Sequence, residues 1–329
     1  MILVTGGTGL VGAHLLLHLV ENEASVRAIY RNSASIEKTK TLFSIYKKEY
    51  LFEKIEWIQA DIIQTPSLKK AFENIDYVYH CAGLISFDPK DEAILRKTNI
   101  EGTANIVNFC IDFAVKKICF VSSIATLGDL NENEKQTTEK TEWNPELYHS
   151  DYAISKYGAE MEIWRGQQEG VDAVVVNPGV ILGPGFWEQG SGLLFKKIAE
   201  GFPFYTKGIA GFVAVTDVVS IMISLMKNKT ANKRFILVAE NYSFREIFNS
   251  ISDALQVKRP RFHATPFIVK IAYRIDWIVS IILNRKRKLD RNSANASYSK
   301  NYYSNEKITR ELNYTFLDIQ EYIKTISKL

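Results

Sequence analysis

The first twelve residues carry a strand pattern followed at once by a glycine-rich turn and a helical pattern. An apolar, β-branched run occupies residues 2–5, and residues 13–20 continue with helical periodicity. Between them lie three glycines spaced three residues apart. The first permits a sharp turn, the second lets the backbone approach a pyrophosphate, and the third lets the helix lie close to the strand. The first amides and the positive dipole end of the helix then face the anion. We therefore predict a dinucleotide site that contains Gly6, Thr8, Gly9, Leu10, Val11 and Gly12.

The length and composition indicate one large α/β domain with a smaller attached unit. Of the 329 residues, 46% are hydrophobic and 24% are charged, which is typical of a folded enzyme and excludes disordered or collagen-like chains. The net charge of +4 gives no argument for nucleic acid as a partner. Three cysteines in apolar runs, without Cys-x-x-Cys spacing, are typical of reduced core thiols rather than of a disulfide or metal site. Because the first strand pattern begins at residue 2, we expect no signal peptide and a cytoplasmic protein.

Further strand patterns alternate with helical patterns, which predicts an α/β fold with a doubly wound parallel sheet of about seven strands, the Rossmann fold. After the first strand, these patterns lie at residues 25–30, 55–60, 75–80, 118–121, 173–176 and 234–238. The polar segment 35–54 has helical spacing and is interpreted as a surface helix. We assign residues 1–180, completed by about 212–240, to the dinucleotide-binding domain. A smaller, mostly helical substrate domain is assigned to 181–211 and 241–329.

The residue after the second strand pattern indicates which cofactor to expect. An acidic side chain there accepts hydrogen bonds from a ribose 2′-hydroxyl, whereas an arginine binds a 2′-phosphate. Arg31 follows the strand pattern at 25–30. The sequence therefore favours NADP(H). A solvated Arg31 in an enzyme that accepts either NADP(H) or NAD(H) is the alternative.

Other strand ends supply further candidate contacts, because ligands of open α/β sheets bind at the carboxyl ends of the strands. Asp61 and Ile62 follow the third strand, and Asp61 is predicted to contact the adenine; a turn-capping Asp61 is the alternative. Small residues after the fourth strand would let the cofactor approach the sheet. The loop after the sixth strand is rich in Pro and Gly and is expected beside the nicotinamide. These two segments contribute the predicted contacts Cys81, Ala82, Gly83, Pro178, Gly179 and Val180.

Tyr152 and Lys156 are the candidate catalytic pair. Residues four apart share a face of a helix, so the phenol and the ammonium group approach the same site. A nearby cation favours the phenolate, so we expect Lys156 to lower the pKa of Tyr152 from about 10 toward neutrality, as a proton donor near pH 7 requires. Ser122 and Ser123 follow the fifth strand, at the same edge of the sheet. The sequence thus predicts a polar site in which a tyrosine donates a proton.

The region 258–291 is the most basic part of the chain. It contains ten Lys or Arg and two Asp, a net charge of +8. Within it, residues 267–283 form an amphipathic helical pattern, which a cluster of four cations at 285–288 follows. One interpretation is a peripheral membrane contact through 267–288. The other is a helix packed over the active site with a solvated basic loop. The charges within the pattern argue against a membrane-spanning helix.

Taken together, these motifs resemble an extended short-chain dehydrogenase/reductase of the NAD-dependent epimerase/dehydratase superfamily, in its dihydroflavonol reductase-like branch. The resemblance covers nearly the whole chain, through residues 5–12, 31, 61–62, 80–83, 99–103, 122–123, 152–156, 177–179, 217 and 303–307. It implies that Tyr152 is the general acid/base and that Lys156 lowers the Tyr152 pKa while binding the nicotinamide ribose. It also implies that Ser123 hydrogen-bonds the substrate oxygen, with Ser122 as the fallback, and that Asn99 is structural or part of a proton relay.

Two positions depart from the nucleotide-sugar enzymes of this superfamily. Val180 stands where those enzymes usually have an asparagine, and Gly211 where they usually place an arginine for the diphosphate. The sequence therefore favours NADPH-dependent reduction of a ketone or aldehyde on a smaller or more apolar substrate. The alternatives are a nucleotide-sugar epimerase or dehydratase with tightly bound NAD, a steroid- or sterol-type dehydrogenase at a membrane surface, and a cofactor-binding protein without catalysis. A homodimer is left open as well.

Overall fold

The structure, a computed structural model, describes residues 1–22, 25–130, 133–282 and 291–329. Its strands are β1 (Ile2–Thr5), β2 (Val26–Tyr30), β3 (Ile55–Gln59), β4 (Tyr77–His80), β5 (Lys117–Val121), β6 (Asp172–Pro178), β7 (Val180–Leu182), β8 (Phe204–Tyr205), β9 (Ile209–Ala214), β10 (Lys233–Leu237), β11 (Glu240–Ser243) and β12 (Phe262–His263). Its α-helices are α1 (Leu10–Asn22), α2 (Ile36–Ile45), α3 (Thr65–Phe72), α4 (Glu92–Arg96), α5 (Gly102–Asp112), α6 (Asp151–Gln168), α7 (Gly192–Ala199), α8 (Val215–Lys227), α9 (Phe244–Ala254), α10 (Pro266–Ile282), α11 (Arg291–Ala296), α12 (Glu306–Leu312) and α13 (Ile319–Ile326).

Seven parallel strands form the central sheet of the described chain, in the order β10-β6-β5-β4-β1-β2-β3. Ile2 of β1 pairs with Val26 on one side and with Tyr77 on the other. The strand order reverses between β1 and β4, which creates a crevice at the carboxyl edge of the sheet, where such folds bind their ligands. The predicted Rossmann sheet of about seven strands is confirmed.

Helices cover both faces of the central sheet. On one face, α1 and α8 contribute Leu16 and Met222 to a buried cluster; on the other, α3, α5 and α6 contribute Leu68, Ile106 and Ile163. Each such side chain gains about 1.5–3 kcal/mol from burial. Since both faces are covered, the central strands are nearly continuous apolar runs rather than alternating patterns.

The segment 35–54 is more deeply buried than its polar composition predicts. Leu42 and Phe43 of α2 are fully buried, and the Thr39 hydroxyl donates a hydrogen bond of 2.9 Å to the Gly7 carbonyl. A surface helix was the prediction for this segment, and α2 does lie at the surface, with Glu37, Lys38 and Lys40 exposed. Its buried side supports the glycine-rich turn from behind.

The smaller unit is built on a three-stranded sheet in the order β11-β9-β7. Helices α7, α9 and α13 cover it in a buried cluster that includes Phe212, Ile251 and Ile323. A two-stranded sheet pairs β8 with β12. Helix α12 returns to the large sheet, where Ile308 is buried in the cluster that contains α1 and α8.

Candidate active site

The glycine-rich turn after β1 is shaped by close backbone contacts. Gly6 has a φ of +70°, and a Cβ there would lie 2.6 Å from backbone atoms of both Cys81 and Ala82. A Cβ at Gly12 would lie 2.2 Å from the Gly6 carbonyl oxygen. Real Cβ atoms do not approach other atoms so closely, so both positions require glycine. The turn is therefore packed tightly against the segment that follows β4, and the first turn of α1 is packed against it.

Gly9 leaves open space, in contrast to Gly6 and Gly12. A Cβ at Gly9 would meet only the Gly6 carbonyl oxygen, at the ordinary contact distance of 3.5 Å. Helix α1 begins at the next residue, Leu10, and has no acidic residue in its first turn. The first amides of a helix have no intrahelical partner, so this end favours an anion. Together with the half-buried Thr8 and Val11, these features fit the diphosphate of a dinucleotide.

Residues 81–83 connect the glycine-rich turn to the catalytic candidates. The Ala82 amide donates a hydrogen bond of 3.2 Å to Oγ1 of Thr5 at the end of β1. A Cβ at Gly83 would lie 3.6 Å from Nζ of Lys156. The structure therefore places the turn and Lys156 on the same edge of the sheet, with Gly83 between them.

Tyr152 lies in the first turn of α6, close to Ser123. The Ser150 side chain caps this helix by accepting a hydrogen bond of 3.1 Å from the Ala153 amide, which fixes the turn that carries Tyr152. Burial raises the pKa of Tyr152, and a side-chain hydrogen bond with Ser123 lowers it in part. The structure thus brings the predicted serine and tyrosine together.

Lys156 is buried one turn further along α6. Its Nζ donates a hydrogen bond of 2.7 Å to the Val121 carbonyl oxygen and lies 4.3 Å from the centre of the Phe120 ring. Burial lowers the pKa of Lys156 to about 8, and the charge of Glu160 opposes that shift. At neutral pH the side chain is therefore still mostly an ammonium ion.

The predicted effect of Lys156 on Tyr152 is wrong for this structure. The pKa of Tyr152 is raised rather than lowered, and Lys156 is not among the groups that shift it. Two physical reasons account for the difference. Burial of the phenol disfavours its charged form, and the ammonium group is directed at the Val121 carbonyl oxygen.

A buried carboxylate, Glu160, holds several polar groups beside the site. The Glu160 side chain is fully buried. Its Oε2 accepts hydrogen bonds from the Ser122 hydroxyl at 2.7 Å, the Thr126 hydroxyl at 2.9 Å and Nδ2 of Asn177 at 3.0 Å. The Arg234 guanidinium lies 3.5 Å from Oε1. Glu160 therefore ties the end of β5 and the end of β6 to helix α6.

The two neighbouring serines consequently differ in their contacts. Ser122 is hydrogen-bonded to Glu160, whereas the Ser123 hydroxyl accepts a hydrogen bond of 3.1 Å from the Ala125 amide and lies close enough to Tyr152 to lower its pKa in part. Sequence reasoning did not single out Glu160, although a signal was present. Tyr152, Lys156 and Glu160 are each four residues apart, which puts all three on one helix face.

A buried histidine, His80, lies beneath the site at the end of β4. Its Nδ1 is 2.6 Å from Oγ1 of Thr5, and its Nε2 is 3.0 Å from Oγ1 of Thr103. Its ring stacks on Phe120, with the ring centres 5.3 Å apart. Burial, followed by the positive charge of Lys156, lowers the pKa of His80 to about 3. The imidazole is therefore neutral and joins β1 to α5 by hydrogen bonds.

Asn99 has a structural position. Its Oδ1 accepts a hydrogen bond of 2.7 Å from the Leu84 amide, and its Nδ2 donates to the Leu84 carbonyl at 3.0 Å and to the Ser155 hydroxyl at 2.9 Å. Asn99 thus fixes the loop after Gly83 against the catalytic helix.

The residues predicted to bind the adenosine half lie after β2 and β3. Arg31 is exposed directly beyond β2. Asp61 caps its own turn, since its Oδ1 accepts a hydrogen bond of 3.2 Å from the Ile63 amide. Ile62 is buried, and its side chain would be 2.6 Å from a Cβ at Gly102. The structure therefore shows the turn-capping alternative for Asp61, and the adenine contact stays a prediction.

The segment after β6 is tightly packed. Pro178 ends β6, and a Cβ at Gly179 would lie 2.4 Å from the Gly211 carbonyl oxygen. Val180 begins β7, where it pairs with Phe212 of β9. A Cβ at Gly211 would lie 2.5 Å from the Val238 side chain, so an arginine at position 211 would require repacking.

An aromatic side chain that sequence reasoning missed lies beside the candidate acid. The Phe87 ring packs edge-on against the Tyr152 ring, with the ring centres 5.5 Å apart, and it is 39% exposed. Phe87 lies in a loop without regular periodicity, so no pattern in the sequence pointed to it. A substrate that reaches the Tyr152 hydroxyl would therefore meet an apolar neighbour.

Within the described ranges, no group of His, Cys, Asp or Glu could hold a metal ion.

Comparisons with known proteins agree with this fold. The model of the NAD dependent epimerase/dehydratase family matches residues 2–239. Tetraketide alpha-pyrone reductase 2 of Arabidopsis thaliana is 28% identical over 281 residues, which cover 80% of this chain and 84% of that protein. Dihydroflavonol 4-reductase of Callistephus chinensis is 26% identical over 276 residues, with 79% and 73% covered. Among solved structures, a UDP-glucose 4-epimerase from Thermotoga maritima has a TM-score of 0.77 at 20% identity, with 99% and 97% covered.

Proposed function

The chain belongs to the NAD-dependent epimerase/dehydratase family and is an NAD(P)-dependent oxidoreductase, and within that class we propose that it reduces a ketone or aldehyde with NADPH. One observation carries the proposal. Tyr152 lies close enough to Ser123 for that side chain to lower its pKa in part, and the buried Lys156 follows one turn later on the same helix, at the sheet edge that also holds the glycine-rich turn.

The protein's own groups divide the work of cofactor binding. The glycine-rich turn would hold the diphosphate, Arg31 the 2′-phosphate and Lys156 the nicotinamide ribose. The bound nicotinamide would supply the hydride, which is chemistry that no side chain of the protein provides. Tight packing at Gly6 and Gly12 keeps the turn in one shape, so little conformational freedom is lost on binding.

Tyr152 is the proposed proton donor. The Ser123 hydroxyl would hydrogen-bond the carbonyl oxygen of the substrate, and the Tyr152 hydroxyl would give its proton to that oxygen. Burial raises the pKa of Tyr152, so the phenol carries its proton at neutral pH, although a raised pKa also makes the phenol a weaker acid. In the reverse reaction the same group would act as the base and would first have to lose its proton.

The substrate we propose is an aromatic or otherwise apolar carbonyl compound. Phe87 presents an apolar ring next to Tyr152, and the two reductases named above act, by their names, on a tetraketide α-pyrone and a dihydroflavonol. Gly211 supplies no cation for a diphosphate, and an arginine at this position would require repacking of Val238. These features favour such a compound over a nucleotide sugar.

NADPH oxidation measured against a panel of carbonyl compounds tests this proposal. The panel contains dihydroflavonols, tetraketide α-pyrones, aromatic aldehydes and simple aliphatic ketones. We expect turnover with at least one aromatic member and release of the cofactor during purification. A protein that retains NAD through purification, reduces no panel member and interconverts nucleotide sugars would be an epimerase and would contradict the proposal.

A further inference from the structure

Helix α10 presents an apolar stripe to solvent. Phe267, Ile271 and Ile275 are 72%, 41% and 55% exposed. Their spacing of four residues puts them on one face of the helix, and the 46% exposed Ile268 widens that face. In most surface helices, an apolar stripe of this kind packs against the core of the protein. Exposed apolar patches of this kind mark interaction sites.

The buried side of α10 lies opposite this stripe. Val269 and Ser280 are each only 7% exposed. The Ser280 hydroxyl donates a hydrogen bond of 2.7 Å to the Trp277 carbonyl oxygen of the same helix. Helix α10 therefore contacts the rest of the protein through a narrow face that carries both apolar and polar side chains. This arrangement does not fit the interpretation that α10 packs its apolar face over the active site.

Positive charge borders the apolar stripe. Lys270 and Arg274 are exposed on one flank of the helix, where Trp277 is 45% exposed. The sequence from 258 to 291 has a net charge of +8; its cation cluster at 285–288 lies outside the described residues. Apolar side chains beside Trp, Lys and Arg are typical of helices that lie in a membrane interface.

We propose that α10 binds the surface of a bilayer that contains anionic phospholipid. The stripe of Phe267, Ile271 and Ile275 would enter the boundary between headgroups and acyl chains, and Lys270 and Arg274 would contact the phosphates. The helix would lie in the plane of the membrane, since no helix in the described part of the chain is long and apolar enough to cross one. A bilayer would also hold apolar substrates near the enzyme.

The charge distribution favours a lipid surface over a second copy of this chain. In a symmetric dimer whose two copies of α10 pack antiparallel through this stripe, the flank that carries Lys270 and Arg274 would face the same flank of the second copy. Like charges brought together in this way oppose association. An anionic bilayer instead neutralises them.

Flotation of the full-length protein with vesicles tests this inference. One set of vesicles is pure phosphatidylcholine, and the other contains phosphatidylglycerol as well. We expect the protein to float with the anionic vesicles and the double variant Phe267→Ser/Ile275→Ser to bind at least ten-fold more weakly. Tyr50→Ser is the matched control, because Tyr50 is 73% exposed and lies on another part of the chain. That variant should bind like the wild type.

A second double variant isolates the electrostatic contribution. Each cation near an anionic surface contributes about 1 kcal/mol, or roughly a five-fold change in binding, so Lys270→Gln/Arg274→Gln should bind roughly twenty-five-fold more weakly. Circular dichroism and thermal unfolding check that each variant is folded.

Absence of flotation for the wild type, or equal flotation of wild type and Phe267→Ser/Ile275→Ser, would overturn the inference. The inference would also be overturned if the wild type binds no vesicles but forms a dimer, and Phe267→Ser/Ile275→Ser is a monomer. That result would mean that the stripe binds a second copy of the chain. Vesicle binding is measured without the reaction, so its failure leaves the proposed reductase chemistry untouched.

Discussion

Ser122 donates a hydrogen bond of 2.7 Å to the buried carboxylate of Glu160, whereas its neighbour Ser123 lies beside Tyr152, whose pKa it lowers in part. The two serines of one strand end therefore have different tasks. One stabilises the frame of the site, and the other belongs to the proposed reaction centre. Replacing each of them in turn separates stability from catalysis.

Ser123→Ala should lower kcat/KM by about a hundred-fold, because removal of one hydrogen bond to the reacting oxygen has an effect of this size. Ser122→Ala should instead lower the free energy of unfolding by about 1–3 kcal/mol, because Glu160 loses a donor in a buried site. Steady-state kinetics and denaturant unfolding of both variants provide the measurement. The opposite assignment, with Ser122→Ala inactive but stable, would show that Ser122 faces the substrate.

Glu160 should control the pH at which activity is lost on the alkaline side. Burial lowers the pKa of Lys156 to about 8, and the charge of Glu160 acts against that shift. Activity that needs the ammonium form is therefore full below that pKa and falls as the pH rises through about 8. In Glu160→Gln the opposing charge is gone, so the alkaline limb should move to lower pH.

The pH profile of kcat/KM measures this effect. Glu160→Asp is the control, since it keeps the charge and should retain more of the wild-type profile than Glu160→Gln. A lower rate without any shift of the alkaline limb in Glu160→Gln would mean that Glu160 acts on structure alone.

His80 should make the protein less stable in acid. Burial lowers its pKa to about 3 in the folded protein, against about 6.5 in the unfolded chain. The unfolded state thus binds more protons between these values, and stability falls as the pH drops through that window. The loss from this one group is about 2 kcal/mol at pH 5 relative to neutral pH.

Thermal unfolding between pH 7 and pH 4 tests the role of His80. His80→Gln should be less stable at pH 7, because the hydrogen bonds to Thr5 and Thr103 are altered, yet it should lose less stability on acidification. His18→Gln, at a partly exposed position of α1, is the control. An unchanged pH slope in His80→Gln would mean that His80 does not cause the loss of stability in acid.

Arg31 should set the preference between NADPH and NADH. The side chain is exposed beyond β2, where a 2′-phosphate would lie. Arg31→Asp should lower kcat/KM for NADPH and raise the relative use of NADH, because a carboxylate repels the phosphate and accepts a hydrogen bond from a 2′-hydroxyl. Arg310→Asp, which changes an exposed arginine of α12, should leave the ratio unchanged. If the ratio of kcat/KM for NADPH to that for NADH is the same in wild type and Arg31→Asp, Arg31 is a solvated charge that does not contact the 2′-phosphate.

Much of the fold could be predicted because its signals are local. The run at residues 2–12 alone indicates strand, turn and helix, and Gly6 and Gly12 stand where the structure allows no Cβ. The seven strands of the large sheet follow from apolar runs between helical patterns. The pair of Tyr152 and Lys156 is likewise visible from helical spacing.

The remainder depends on contacts between distant segments. The direction of the Tyr152 pKa shift depends on its burial, which a spacing of four residues does not report. Phe87 reaches Tyr152 from an irregular loop. The exposure of the α10 stripe depends on which helix face rests on the protein, and the periodicity of Phe267, Ile271 and Ile275 is the same in either orientation.

In the proposed reaction Tyr152 gives its proton to the carbonyl oxygen, and the variant Tyr152→Phe isolates that step. This variant removes one hydroxyl and keeps the ring that packs against Phe87. With a carbonyl substrate from the panel, kcat should fall by about 10²–10⁴-fold, the contribution typical of a general acid, while the Kd for NADPH stays near that of the wild type. A Tyr152→Phe enzyme with near wild-type kcat would contradict the account.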